Sequence, residues 1–157
     1  MTTLVRKATV DDIPILVDLM QEFYAEADYP LDRDWAAASF NALMQDDSLG
    51  AVWIVFHDSE PTGHVVLTTR FSMEYGGFDA FIDDLFIRSA YRRRGLGSAA
   101  LRALFDECAR RKVLALHVEV GHDNVAAQAL YRSYGLEPYD SERVMLTARL
   151  GNDSGAA

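Results

Sequence analysis

One stretch of the chain, residues 78–98, joins a strand pattern to a loop of arginines and glycines that opens a helix. The residues from Phe78 to Arg88 are rich in aromatic and β-branched types, and helical spacing begins at Gly95. Glycines at this position and at Gly97 let the backbone approach a ligand, and the first amides of a helix favour an anion such as pyrophosphate. Charge-assisted hydrogen bonds would come from Arg88, Arg92, Arg93 and Arg94. The stretch therefore indicates a site for one small, multiply phosphorylated ligand, with a tight turn carrying solvated arginines as the alternative.

The spacing of apolar residues along the whole chain predicts the element order β-α-α-β-β-β-α-β-α-β-β. The predicted ranges are a strand at 4–8, a helix at about 9–27, a helix from about Asp32 or Asp34 to Gln45, strands at 51–56, 64–73 and 78–88, a helix at 95–112, a strand at 113–120, a helix at 124–134, and two strands over 136–150 around a turn near Ser141. Tight turns join the strands in the middle of the chain, so these strands should be antiparallel, whereas the helix after Gly95 should return the chain for parallel pairing. We expect one α/β domain with a mixed, mostly antiparallel sheet over 1–150, followed by a frayed tail at 151–157.

Composition narrows the class of protein further. Half of the 157 residues are apolar and 25% are charged, which is typical of one soluble globular domain. The net charge of −9 argues against a general nucleic-acid binder, because neutralising phosphates requires a basic face. No signal peptide or membrane span is recognisable, and the single cysteine, Cys108, reads as a buried small hydrophobe, so we expect a cytoplasmic protein. The histidines His57, His64, His117 and His122 lack metal-ligand spacing and are interpreted as structural, so no metal is expected.

Two motifs in the C-terminal half carry a family resemblance. The first is R-x-x-G-x-G from Arg92 to Gly97, directly after a strand that ends in L-F-I. The second runs from Asn124 to Gly135 as N-x-x-A-x-x-L-Y-x-x-x-G, with Leu136 where the family usually has phenylalanine, a change that nearly conserves volume. Both resemble the GNAT superfamily of acyl-CoA-dependent N-acyltransferases, in which the first motif binds the pyrophosphate of the cofactor.

This resemblance implies a GNAT fold whose sheet is splayed between the fourth and fifth strands, with acetyl-CoA as co-substrate. Backbone groups near Phe86 and Ile87 would hold pantetheine, the loop would wrap the pyrophosphate, and Asn124 would steady the pantetheine arm. The cofactor-binding residues expected on this basis are Phe86, Ile87, Arg92, Arg93, Arg94, Gly95, Leu96, Gly97, Ser98 and Asn124.

The resemblance also implies direct transfer of the acetyl group to an amine, without a covalent enzyme intermediate. Such a transfer needs a base for the ammonium and an acid for the departing thiolate. Tyr131, in the L-Y position of the second motif, is the expected general acid; the alternative is a core tyrosine with a polar tip.

The I-D-D-L-F-I run resembles that of spermidine/spermine acetyltransferases, which suggests Asp83 as base and Asp84 as a partner for a cationic substrate. Because aspartate is one methylene shorter than the usual glutamate, proton transfer through a water is favoured over direct abstraction. On a regular strand the two carboxylates face opposite ways unless a bulge re-aims them. The alternative is a pair of solvated acids on an exposed strand.

The expected acceptor is a small primary amine such as a diamine, polyamine or aminoglycoside-like cation. An acidic segment motivates this expectation, comprising Glu22, Glu26, Asp28, Asp32 and Asp34, although it could equally be a solvated loop. Among these, Glu26 and Asp28 are expected to line the acceptor site together with Asp84 and Glu119. Two other functions stay open, acetylation of a protein N-terminus or lysine and non-catalytic acyl-CoA sensing. The oligomeric state is open as well, and a homodimer is compatible with the resemblance.

Overall fold

A computed structural model describes residues 2–139 and 142–151. Its elements are β1 (Thr3–Lys7), α1 (Ile13–Glu26), α2 (Arg33–Gln45), β2 (Gly50–His57), β3 (Glu60–Ser72), β4 (Gly77–Ile87), α3 (Leu96–Arg110), β5 (Ala115–Val118) and α4 (Val125–Ser133). The order from β1 to α4 is the predicted one, and the boundaries of most elements lie within a few residues of the predicted ranges. Single turns of 3-10 helix at Val10–Asp12 and Ser89–Tyr91 precede α1 and the arginine and glycine loop.

The five strands form one sheet in the order β1-β2-β3-β4-β5. The first four strands pair antiparallel, while β4 and β5 pair parallel because α3 carries the chain back to the starting end of β4. The predicted α/β class and mixed sheet are confirmed.

The sheet separates two hydrophobic cores because successive side chains of a strand point to opposite faces. In β2, Val52 and Ile54 face α1 and α2, whereas Val55 faces α3. The first core also contains Leu16, Val17, Met20, Ala36, Phe40 and Val66. The second contains Val65, Leu67, Ala80, Ile82, Leu96, Leu101, Leu104 and Tyr131. This layering places the carboxyl end of β4 between α1 on one face of the sheet and the start of α3 on the other.

Side-chain caps begin two of the helices at the predicted positions. The carboxylate of Asp32 accepts hydrogen bonds from the amides of Asp34 and Trp35 at 2.9 and 3.1 Å. The side chain of Asn124 accepts one from the amide of Ala127 at 3.2 Å. Both caps satisfy amides that have no partner within the helix, which explains why short polar residues stand at these starts.

The two final strands predicted over 136–150 are not formed in the described part of that range. Residues 136–139 and 142–151 contain no strand, and the predicted turn at Ser141 lies outside the described residues, as does the tail from 152 onward. Apolar side chains of this segment are exposed, with Val144 at 79% and Leu146 at 88%. Alternating apolar residues favour a strand, but a strand also needs backbone pairing, and the sheet ends at the four residues of β5.

Candidate functional site

A gap opens in the sheet where β4 and β5 part. Their parallel ladder runs from the pair Asp79 and Ala115 to the pair Ile82 and Val118. Beyond it β4 continues to Ile87, and within residues 2–139 and 142–151 this part of the strand pairs with β3 alone. The predicted splay between the fourth and fifth strands is thereby confirmed, and it leaves one backbone edge of β4 unpaired next to the start of α3.

A β-bulge lies at the mouth of this gap. Asp84 pairs with Val66 of β3 and Ile82 pairs with Leu67, so Asp83 is an extra residue without a partner across the strands. Bulges re-aim side chains, and here Asp83 is partly exposed to solvent, whereas only 15% of the Asp84 side chain is exposed. The two acids therefore have different surroundings.

The environment of Asp83 makes it a stronger base than an ordinary aspartate. Partial burial raises the pKa of Asp83, and the charges of Asp84 and Glu119 raise it further. Glu119 comes directly after β5, one residue beyond the ladder. Three carboxylates thus meet at the point where the strands separate.

The second acid, Asp84, lies among groups from three other elements, β3, α4 and α1. Its Oδ2 is 3.8 Å from Nε2 of His64 on β3. Burial, and secondarily the charge of Asp84, raises the pKa of Tyr131 on α4 to about 12. Burial also raises the pKa of Tyr24 on α1, with further contributions from Asp84 and Asp83. The hydroxyl of Tyr131 therefore stays protonated at neutral pH, as a general acid must.

At the far end of the gap, the arginine and glycine loop has the shape of an anion site. Gly95 is the N-cap of α3 with φ 79°, a left-handed conformation that favours glycine. A Cβ on Gly97 would lie 3.0 Å from Cδ2 of Leu130, so α3 and α4 approach closely here. The side chain of Leu96, the first residue of α3, is buried in the core. The amides of a first helical turn have no partner within the helix and can bind phosphate oxygens.

Two of the predicted arginines are bound to acids of α1. Arg88 donates to the carboxylate of Glu22, with the shortest distance 2.7 Å. Arg92 donates to both oxygens of Glu26 at 2.7 Å, and its Nε donates to the carbonyl of Ile87 at 2.8 Å. The structure thus brings a predicted cofactor residue and a predicted acceptor residue together, and Arg92 balances the charge that Glu26 was expected to offer an amine.

The other two loop arginines, Arg93 and Arg94, form no ion pair with any residue among 2–139 and 142–151. Arg94 lies over the ring of Tyr91 at 5.6 Å from its centroid. Without a carboxylate partner among the described residues, their guanidinium groups can bind an anion beside the start of α3.

Three other residues predicted to bind the cofactor or the acceptor, Phe86, Ser98 and Asp28, have different surroundings. The Phe86 side chain is buried against Phe23 with ring centroids 5.4 Å apart, so only its backbone borders the gap. The Ser98 hydroxyl is 2.6 Å from the hydroxyl of Tyr134, so it already has a partner within the protein. Asp28 lies in the turn after α1 with φ 58°.

A buried acid that the sequence reasoning missed supports the acceptor side. Asp79 is fully buried and accepts two hydrogen bonds from Arg70, at 2.9 and 3.0 Å. Nε2 of His117 lies 2.9 Å from Oδ2 of the same carboxylate, an oxygen that also accepts a hydrogen bond from Arg70, and this histidine is partly buried. Arg70 and Asp79 are direct partners in the β3 and β4 hairpin, so pairing the strands across Gly76 would have revealed the contact.

Two cavities lie along β5. The larger, of about 630 Å³, runs along its outer edge and is bordered by α4, including Tyr131. The smaller, of about 310 Å³, contains Arg70, Phe81 and Glu119. His117 lines both cavities, and Glu119 of the acid cluster lines the smaller one.

Other candidate chemistries receive no support in the described part of the chain. Cys108 is buried, and burial raises the pKa of its thiol to about 11, which keeps it from acting as a thiolate nucleophile. Residues 2–139 and 142–151 contain no group of His, Cys, Asp and Glu side chains arranged to hold a metal ion. None of the helices in these ranges is long and apolar enough to cross a membrane.

Comparison with known proteins finds solved structures that share this fold. The chain is 40% identical to an integron cassette protein from the mobile metagenome of Cole Harbour Salt Marsh, with a TM-score of 0.86 over 96% of this chain and 93% of that one. An aminoglycoside N-acetyltransferase in complex with CoA shares the fold, with a TM-score of 0.80, 16% identity, and coverage of 94% and 95%.

Among curated proteins, the chain is 42% identical over 57 residues to the [ribosomal protein bS18]-alanine N-acetyltransferase of Escherichia coli K12. That match spans 36% of this chain and 38% of the relative's length. The model of the acetyltransferase (GNAT) family matches residues 14–136, from α1 to the end of the second motif. With the splayed sheet, the glycine loop at the start of α3 and this match, the chain is a member of the GNAT family of acyl-CoA-dependent N-acetyltransferases.

Proposed function

We propose that the protein transfers the acetyl group of acetyl-CoA directly to the primary amine of a small cationic molecule, such as a diamine, polyamine or aminoglycoside-like compound. The observation that carries this proposal is the cluster of Asp83, Asp84 and Glu119 where β4 and β5 part. An anionic cluster at this point attracts an ammonium group and places bases beside it.

The residues around the gap fit acetyl-CoA, which supplies an activated acetyl group as a thioester. Its pyrophosphate would be held by the backbone amides of Leu96, Gly97 and Ser98. Arg93 and Arg94, which form no ion pair with another described residue, would add charge-assisted hydrogen bonds to it. The unpaired edge of β4 near Phe86 and Ile87 would bind pantetheine, with Asn124 beside it. Because Arg92 is held by Glu26, its contribution to the phosphates requires that this exposed ion pair open.

On the acceptor side, we assign Asp83 the role of proton acceptor. An amine must lose a proton before it can attack, and the raised pKa of Asp83 brings its basicity closer to that task. The short side chain favours transfer through one water. Asp84 is the charge partner that holds the ammonium group in place.

On the leaving-group side, we assign Tyr131 the role of proton donor. Its pKa of about 12 keeps the proton on the hydroxyl but also makes it a weak donor. Since the charge of Asp84 contributes to that shift, an ammonium group bound at Asp84 offsets the charge and strengthens Tyr131 as an acid. Acceptor binding and proton donation would thereby be coupled.

A second candidate acceptor is the N-terminus of a protein. The relative from Escherichia coli is a [ribosomal protein bS18]-alanine N-acetyltransferase, and the larger cavity along β5, of about 630 Å³, offers room for a peptide segment. The acid cluster is compatible with this acceptor as well, because an N-terminal amine is also a cation below its pKa.

The test is an acceptor panel with acetyl-CoA, in which release of free CoA thiol is measured. The panel contains putrescine, spermidine, an aminoglycoside, butylamine and a peptide beginning with alanine. We expect the highest kcat/KM for a compound with two or more amines. A higher kcat/KM for the peptide would indicate that the acceptor is a protein N-terminus. Binding of acetyl-CoA without turnover on any amine would indicate a non-catalytic acyl-CoA sensor.

A further inference from the structure

A histidine of β3 lies buried behind the acid cluster. His64 has no exposed surface and is surrounded by the rings of Phe23, Phe40 and Phe86, with centroids 6.1 to 6.4 Å from its own. It pairs with Phe86 across the strands, two residues along β3 from the position opposite Asp84. An aromatic side chain without nitrogen would fill this place more favourably if packing were its only task.

Both ring nitrogens of His64 lack a hydrogen-bond partner among the described residues. Leaving a buried polar atom unsatisfied is unfavourable, and such atoms in native proteins call for a specific reason. The nearest charged atom is Oδ2 of Asp84, 3.8 Å from Nε2 and about 1 Å beyond the usual length of a hydrogen bond. A small rotation of the Asp84 side chain would close this distance.

The carboxylate of Asp84 is available to accept a hydrogen bond, and 15% of its side chain is exposed to solvent. No hydrogen bond from a residue within 2–139 or 142–151 ends on its carboxylate in this structure. The titratable groups that face it from other elements are Tyr24 of α1, Tyr131 of α4 and His64 of β3, together with its neighbour Asp83. Of these, only His64 is fully buried and held by packing on several sides, so it is the donor with the most fixed position.

We propose that His64 is a positioning residue for acceptor binding, which donates a hydrogen bond from Nε2 to one oxygen of Asp84 and aims the other oxygen at the ammonium group of the amine. The proposal rests on the proposed function and adds a residue to it. It requires the tautomer with hydrogen on Nε2, and it predicts that His64 acts on acceptor affinity through Asp84 and not on the chemical step.

Two substitutions separate positioning from packing. His64→Phe keeps an aromatic ring and removes the donor, whereas His64→Gln loses the ring but keeps an amide nitrogen that can reach the position of Nε2. We expect the phenylalanine variant to raise the KM of the best acceptor in the panel about tenfold, the effect of one hydrogen bond to a charged group, with kcat within about twofold. The glutamine variant should restore most of the wild-type KM.

His57 offers a matched control. It too is buried with both ring nitrogens unpartnered, and its Nε2 is 3.7 Å from Oδ2 of an aspartate, Asp58, in the turn between β2 and β3. His57→Phe should therefore match His64→Phe in its effect on thermal stability while leaving the acceptor KM unchanged.

The decisive experiment combines His64→Phe with Asp84→Asn. If His64 acts through Asp84, the double variant has the same acceptor KM as Asp84→Asn alone. Additive effects of the two substitutions, or equal KM values for His64→Phe and His64→Gln, would overturn the proposal.

A spectroscopic readout covers the case in which His64→Phe does not fold. Nitrogen NMR of the wild-type protein should show His64 with hydrogen on Nε2, and its signal should shift on addition of the acceptor. The same addition to Asp84→Asn should produce no shift. A tautomer with hydrogen on Nδ1 would overturn the assignment, whereas a wild-type protein that acetylates no amine would refute the proposed function instead.

Discussion

Replacing Gly97 by glutamate tests the cofactor site most directly. This glycine is the second residue of α3, where phosphate oxygens would approach the free amides. A glutamate there would bring its carboxylate to about 5 Å from a phosphate, and at an effective dielectric constant of about 20 the repulsion is about 3 kcal/mol. That energy corresponds to a loss of affinity of roughly a hundredfold.

The same substitution should leave the fold intact, which makes the measurement interpretable. A Cβ on Gly97 meets only Cδ2 of Leu130, at 3.0 Å, and the end of a flexible side chain can move by the few tenths of an ångström required. A glutamate in the first turn also interacts favourably with the helix dipole.

Gly97→Ala is the matched control because it adds the Cβ without the charge. Isothermal titration calorimetry with acetyl-CoA should give a Kd for Gly97→Ala within a few fold of wild type and a Kd for Gly97→Glu roughly a hundredfold weaker. Equal affinities of the two variants would mean that the phosphates do not bind at the start of α3, and the assignment of the loop would fail.

Three further outcomes are expected. Tyr131→Phe should lower kcat roughly a hundredfold with the KM for acetyl-CoA nearly unchanged, because a proton donor is lost while the ring packing remains. If this variant keeps the wild-type kcat while chemistry is the rate-limiting step, Tyr131 is not the general acid. Since the pKa of Asp83 is raised, the kcat of the wild-type protein should rise as the pH increases through that pKa. Asp83→Asn should remove this rise and lower kcat most at low pH, whereas Asp84→Asn should mainly raise the KM of a diamine. If both variants have the same pH profile and KM as the wild type, the two acids are only solvated residues at the end of the strand. The hydrogen bond from Arg6 lowers the pKa of Asp12 from 3.8 to about 2, so the pair should add about 2 kcal/mol of stability that is present above pH 3.8 and lost as pH falls toward 2. Urea unfolding of Asp12→Asn should show this deficit near neutral pH and none near pH 2, and a deficit of equal size at both would contradict the assignment.

Local patterns were sufficient for most of the secondary structure. The start of α2 at the Asp32 cap and the start of α4 at the Asn124 cap are encoded within a few residues, because a side chain caps amides of its own first turn. The prediction of two final strands over 136–150 failed because a strand depends on pairing with a distant segment. Their apolar alternation around Val144 and Leu146 is local, but a strand exists only when a distant edge pairs with it, and the described residues there remain unpaired.

Some residues of the candidate site could also be predicted from short motifs, whereas others are brought together only by the fold. The glycine loop and the L-Y motif are contiguous in sequence, so the positions of Gly95, Gly97 and Tyr131 beside the gap could be expected from family resemblance. The ion pair between Arg92 and Glu26 could not, because it joins residues far apart in the chain that meet only when α1 packs beside the end of β4.

By itself the sequence determined the α/β order, the family and the cofactor loop, because each depends on periodicity or on a short motif whose residues act within one turn or one strand. Only the tertiary structure decided which acid faces which group. The bulge at Asp83 arises from the register of β3 against β4, and it places Asp84 beside His64 and near Tyr131. Register and packing depend on the whole sheet and on both helical layers, so no local pattern in the I-D-D-L-F-I run could reveal them.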